Sequence, residues 1–140
     1  MDPKVKEAIY KAVQNEPFAK AMQIRLKELA LGYSVVEMIY DPDHMNNIYD
    51  RAHGGAVFAL IDEAFETAGQ TDGTIAVALN VNVTYVSSPE PGVKLRAEAQ
   101  RVSQTKKTAS YDIRVSDARG NLIATCSALA YRTGKSIPFL

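Results

Sequence analysis

Two glycines and one carboxylate raise the first chemical question in this chain. His53-Gly54-Gly55 heads an apolar segment, and Asp62 follows eight residues after Gly54. Glycines at a helix start let the backbone approach a ligand closely, because no Cβ stands in the way. The N–H groups of a first helical turn lack partners within the helix and carry partial positive charge. Aimed at a carbonyl, such a group polarises it and stabilises the oxyanion of acyl transfer. A carboxylate beside that carbonyl supplies a general base or a nucleophile. Eight residues of helix span about 12 Å, too far for Asp62 to serve the same carbonyl as Gly54 of its own chain. The spacing therefore predicts a site shared between subunits and made twice by a two-fold axis.

The elements that must position these groups can be read from hydrophobic period. Val57, Leu60, Ile61, Ala64, Phe65 and Ala68 fall on one broad face of a helix over residues 54–69. Glu63, Glu66, Thr67 and Gln70 form its polar stripe, and Asp62 sits at the border beside Phe58 and Phe65. A carboxylate so placed is partly desolvated, which raises its pKa and its basicity. Upstream, Val5, Ala8, Ile9, Ala12 and Val13 predict a short amphipathic helix that stops near Asn15-Glu16-Pro17. Residues 22–30 and 33–40 read as two strands hinged at Gly32, followed by a polar loop over 44–52. Downstream the period is two: Ile75, Val77, Leu79, Val81, Val83 and Tyr85 on one face, then Val93 to Ala99, Ala109 to Val115 and Leu122 to Ala130. Turns at Ser88-Pro89-Glu90-Pro91-Gly92 and Asp117-Ala118-Arg119-Gly120-Asn121 separate these strands and favour antiparallel pairing. The expected class is α+β: a long curved antiparallel sheet wrapped round one central helix, with a short N-terminal helix.

Composition narrows the functions. A chain of 140 residues fits a single domain over 1–140. Sixteen basic residues balance sixteen acidic ones, which argues against a nucleic-acid or membrane surface, since both need a basic excess. The single cysteine, Cys126, excludes an internal disulfide, and the charged first ten residues hold no secretory h-region, so the expected location is cytoplasmic. Two histidines with Asp43 or Asp50 in a loop do not make a metal-ligand spacing, and no metal or cofactor is expected.

The combination Asn47…His53-Gly54-Gly55…Asp62, then Asn82-Val83-Thr84-Tyr85-Val86 and Pro91-Gly92, resembles the PaaI-like (phenylacetate-pathway) branch of the hotdog-fold acyl-CoA thioesterases. The resemblance spans roughly Met22 to Thr133. It implies that Asp62 is the general base or nucleophile and that the Gly54 N–H polarises the thioester carbonyl. It implies that Asn47 positions the water or thioester, and that His53 orients the loop and binds the thioester. Gly55, Phe58 and Phe65 would meet the substrate, and Lys106 and Lys107 would lie near the phosphates of coenzyme A, which enters as part of the substrate. The minimal active unit would be a homodimer, in a homotetramer built as a dimer of dimers. One departure stands out: where relatives often carry Ser or Thr to hold water, this chain has Ala78, which cannot hydrogen-bond.

Competing readings attach to several of these residues. Glu63 and Glu66, central in the polar stripe, read as solvated, and His53 serves equally as a helix cap. Lys106-Lys107 suits a solvated hairpin end, and Cys126 a core position. Two other functions fit the same fold: an acyl-CoA-binding module without catalysis, and a hydratase or dehydratase.

Overall fold

The computed structural model describes residues 1–140. Its elements are α1 (Pro3–Asn15), α2 (Pro17–Met22), β1 (Arg25–Ala30), β2 (Tyr33–Ile39), α3 (Pro42–Met45), α4 (Gly54–Gly69), β3 (Thr74–Tyr85), β4 (Lys94–Gln104), β5 (Thr108–Asp117) and β6 (Leu122–Ser136). Asp2 caps α1 by accepting the Lys4 N–H at 2.8 Å, and Val5, Ile9 and Val13 bury its apolar stripe. The helix stops where the sequence predicts. The chain then restarts as α2, because Pro17 has no N–H to lose at a first helical position. Residues 22–24 therefore do not belong to the first strand, which begins at Arg25 rather than Met22.

The six strands form one antiparallel sheet in the order β1-β2-β4-β5-β6-β3. Helix α4 touches every one of them. Six strands at about 4.8 Å spacing span more than twice the roughly 10 Å width of a helix, so contact with all six requires the sheet to curl round it. Small residues on the inner face make room for the rod. Ala97, Ala99, Ala124, Ala128 and Ala130 are buried there, in one core cluster with Leu60, Ile61, Ala64 and Ala68 of α4. Val36, Met38, Leu95, Ile113 and Val115 fill the space between. This is the hotdog arrangement the strand pattern allows.

Polar contacts fix the pitch of α4 in its trough. The Thr67 hydroxyl lies 2.6 Å from the Ser34 hydroxyl, both buried, and Thr71 Oγ1 accepts the Gly32 N–H at 2.8 Å. Gly32 has a left-handed φ of +68°, and a Cβ there would lie 2.8 Å from Arg101 Nε, so glycine is required on both counts. Beyond the helix, Asp72 pairs with Arg101 at 2.7 Å and Arg132 at 3.2 Å.

Three further expectations need correction. The predicted single face of β3 is broken by a bulge between Ala78 and Asn80. Before it Ala78 opposes the buried Ala130, and after it Val81 and Val83 oppose the buried Ala128 and Cys126. The extra residue shifts the alternation by one, so Val77 and Leu79 are exposed at 48% and 58% instead of facing the core with Val81 and Val83. Secondly, Glu63 is buried, not solvated, because the α1–α2 junction covers that side of α4; Glu66 remains exposed. The loop over 44–52 is also more ordered than expected: its start lies in the single turn α3, and Asn46 and Ala52 form an isolated bridge.

Candidate active site

The chemistry-bearing residues gather at two stations. The first is the start of α4. Asn47 Oδ1 accepts the N–H groups of Tyr49 at 2.9 Å and Arg51 at 3.2 Å, and the Asn47 N–H donates to the Arg51 carbonyl at 2.7 Å. The side-chain oxygen thus closes its own loop, an Asx turn, while the Nδ2 donors stay unengaged. The His53 N–H then donates to the Met45 carbonyl at 2.7 Å, which sets the angle at which the chain enters the helix.

His53 is the N-cap of α4: its Nδ1 accepts the Gly55 N–H at 2.9 Å. The imidazole thus takes the part usually played by Ser, Thr, Asp or Asn. A Cβ on residue 55 would sit 3.0 Å from that nitrogen, so Gly55 lets the cap close. The cap consumes the amide of Gly55 and leaves the Gly54 N–H without a partner in the chain. Tyr85 completes this station by donating its hydroxyl to the Gly54 carbonyl at 3.0 Å. Its ring stands 3.2 Å from where a Gly54 Cβ would be, so a side chain there would have to push the Tyr85 ring aside. Asn47, Gly54 and Tyr85 line one groove of about 440 Å³. Nothing in the sequence marks Tyr85 as a positioning residue, because its partner lies 31 residues away.

Removal of the cap has a measurable consequence. His53→Ala should orphan the Gly55 N–H and cost about 1 kcal/mol, lowering the melting temperature by roughly 2–4 °C, with His53→Asn retaining most of the stability. A thermal melt of the three proteins in one buffer checks this.

The second station is a cleft of about 270 Å³ between the later turns of α4 and the first half of β3. Asp62, Phe65, Glu66, Gln70, Ala76 and Ala78 contribute to its walls. Asp62 is exposed in the single chain, yet enough protein surrounds its carboxyl that burial raises its pKa above the ordinary aspartate value. Phe65 is held edge-on against Tyr111, with ring centroids 5.3 Å apart and planes at 64°. Only 3% of Phe65 is exposed, so it forms the back wall, and Phe58 is half-buried nearer the helix start. The Gln70 amide clamps Ala76, donating to its carbonyl at 3.0 Å and accepting its N–H at 3.2 Å. Ala78 does face this cleft, and it brings no hydroxyl to hold water.

Lys106 and Lys107 are exposed in the β4–β5 turn. Lys107 Nζ lies 3.4 Å from the Tyr131 hydroxyl and 5.6 Å from its ring centroid. Tyr131 pairs with Val77, which lines the Asp62 cleft, so the lysines stand on the Asp62 side and not by Gly54. His44 is a surface residue paired with Asp41 at 2.7 Å. Cys126 is buried, and burial pushes its thiol up to about 11, which suits a core residue and not a nucleophile.

Gly54 and Asp62 line different clefts of one chain. The separation expected from helix geometry therefore holds.

With fold and site in view, comparison with known proteins assigns the class. A family model described as the thioesterase superfamily matches residues 49–124, which include Gly54, Asp62 and Tyr85. The chain belongs to that superfamily, to its PaaI-like hotdog branch, and is a thioesterase. It is 31% identical over 124 residues to the acyl-coenzyme A thioesterase PaaI of Escherichia coli, covering 89% of this chain and 88% of that one. The solved structure of the E. coli PaaI protein superposes with a TM-score of 0.90 at 30% identity, over 96% of each chain. A protein of Archaeoglobus fulgidus named "Putative esterase" is 35% identical over 138 residues, 99% of this chain and 87% of its own.

Proposed function

We propose that this thioesterase hydrolyses acyl-CoA thioesters at sites shared between two copies of the chain. One observation carries the reading: the Gly54 and Asp62 stations lie toward opposite ends of the same edge strand. Helix α4 and β3 run in opposite directions, with Gly54 against Tyr85 and Gly69 near Ala76. Strand β3 has a neighbour on one side only, and Val77 and Leu79 are exposed on it. An unpaired apolar edge is a template for another strand. Antiparallel pairing of two β3 edges about a two-fold axis near mid-strand would bring the Asp62 cleft of each copy against the Gly54 groove of the other. The exposure of Asp62 in the single chain is what such a shared site requires.

In the shared site the free Gly54 N–H of one copy donates to the thioester oxygen and stabilises the oxyanion as it forms. Asp62 of the other copy takes a proton from water, whose oxygen attacks the carbonyl carbon. The C–S bond then breaks, and the thiolate leaves and takes up a proton. Direct attack by Asp62, giving an anhydride that water cleaves, uses the same geometry. The Nδ2 of Asn47 is free to hold water or the thioester oxygen. His53 acts by capping, since its bond to the Gly55 N–H leaves the Gly54 N–H free. Gly55, Phe58 and Phe65 shape the acyl end, and Lys106 and Lys107 meet the phosphates as point charges. Dimers pair into a tetramer. No helix is long and apolar enough to cross a membrane, and a cytoplasmic location goes with the single buried thiol.

A free-thiol assay across aryl-acyl and medium-chain acyl-CoA esters tests the reading. Thiol should be released in proportion to enzyme, with the free acid as co-product. Binding of the ester without thiol release would overturn it in favour of a non-catalytic module.

A further inference from the structure

Away from the thioester chemistry, the least satisfied group in the molecule is a carboxyl. Glu63 is 3% exposed, and its Oε1 is the one buried side-chain polar atom without a hydrogen-bond partner. Glu16, at the α1–α2 junction, and Glu66, on α4, face it. One carboxylate oxygen from each of the three lies within 4.8 Å of the other two. No Lys, Arg or His forms an ion pair with any of them. Like charges this close, one of them dry, are unfavourable unless something positive joins them. Burial, then the charges of Glu16, Glu66 and Asp62 and a hydrogen bond to Glu16, push the Glu63 carboxyl up to about 8. A proton on Glu63 removes one charge and lets it donate to the Glu16 carboxylate, but it leaves Glu16 and Glu66 both ionised, facing each other with no cation between them.

We propose that Glu16, Glu63 and Glu66 form a binding site for a divalent cation of the oxygen-preferring kind, best fitted by calcium. Calcium accepts about six to eight oxygens in flexible geometry, whereas magnesium demands a near-ideal octahedron and dehydrates reluctantly, so three carboxylates completed by water suit calcium. The three oxygens, all within 4.8 Å of one another, are close enough to share one ion. The site has no nitrogen or sulfur ligand, so it does not select zinc. Three carboxylates leave several coordination positions for water. An open groove of about 270 Å³, lined in part by Glu16, Glu66, Thr67 and Gln70, gives water access. The bound ion would tie the N-terminal helices to α4 beside Asp62. It would thus stabilise the fold and hold the catalytic helix.

The test reads stability, not turnover, so it stands apart from the thioesterase reading. The protein is stripped with a chelator and melted with calcium, magnesium or zinc at millimolar concentration. Calcium should raise the melting temperature by on the order of 5 °C, and magnesium by less. Glu63→Gln and Glu66→Gln should each remove most of that rise. Should Glu63→Gln fail to fold, Glu66→Gln, altered on the exposed side, decides. A parent protein whose melting point calcium does not move would overturn the proposal, leaving a cluster relieved by protons alone. So would an undiminished rise in the Glu66→Gln variant, because the ion would then bind elsewhere.

Discussion

Asp62→Asn should lower kcat for acyl-CoA hydrolysis by about a thousandfold, within the range expected for loss of a positioned base or nucleophile. KM should change little, because the side chain keeps its size and acts on water or the carbonyl carbon and not on the coenzyme. The fold should survive. Burial raises the folded pKa of Asp62 above its unfolded value. The sign of the linkage follows: the protonated group is favoured in the fold, that contribution is fully present below the unfolded pKa, and it is lost as pH rises through the folded pKa. At neutral pH the ionised carboxylate therefore costs stability, and asparagine removes that cost. The variant should melt at or above the parent's temperature while the oligomer stays intact. The measurements are thiol release, a thermal melt and light scattering on the same samples. A variant within tenfold of the parent's kcat would remove Asp62 from the mechanism.

The distribution of what could be read from sequence has physical causes. Helix α4 and strands β4 to β6 announce themselves, because each buries one face and the buried set recurs at the element's period. The spacing of Gly54 and Asp62 is similarly legible, since helix rise alone fixes their separation. The β3 face misleads because a bulge at Leu79 has no signature in a run of alternating apolar residues, yet it reverses which side meets the core. Glu63 misleads for a different reason. Helical phase places it in the polar stripe, but burial is decided by what packs over the stripe, and Glu16 with the α1–α2 junction is far away in sequence. The restart of the chain at Pro17 is marked by the proline, but six residues are too short for a periodic pattern to separate helix from strand. Tyr85 and Gln70 support the site through partners that only the fold brings close. The part of His53 is decided by a single rotamer that no spacing specifies.

The shared-site geometry makes a prediction that no same-subunit site can imitate. Gly54→Pro removes the proposed oxyanion donor while respecting the helix, since proline is favoured at the first helical position. The preceding residue already has the extended backbone that proline demands, with His53 at φ −65° and ψ 133°. The added ring has to displace the end of the Tyr85 side chain, which stands 3.2 Å from the Cβ position. Alone, the variant should lose about a hundredfold to a thousandfold in kcat, the usual cost of an oxyanion donor. Co-expressed in equal amount with Asp62→Asn, it should regain activity. Each mixed dimer holds one site built from the intact Gly54 of one chain and the intact Asp62 of the other, and one site broken twice. Random pairing makes half the dimers mixed, each with one of its two sites working, so the mixture should recover about a quarter of parental turnover. If both groups acted within one chain, every chain in the mixture would carry one defect and nothing would return. Thiol release from the co-expressed mixture, with each chain's amount checked by its own tag, therefore separates the two arrangements, with the two inactive homo-oligomers as the baseline.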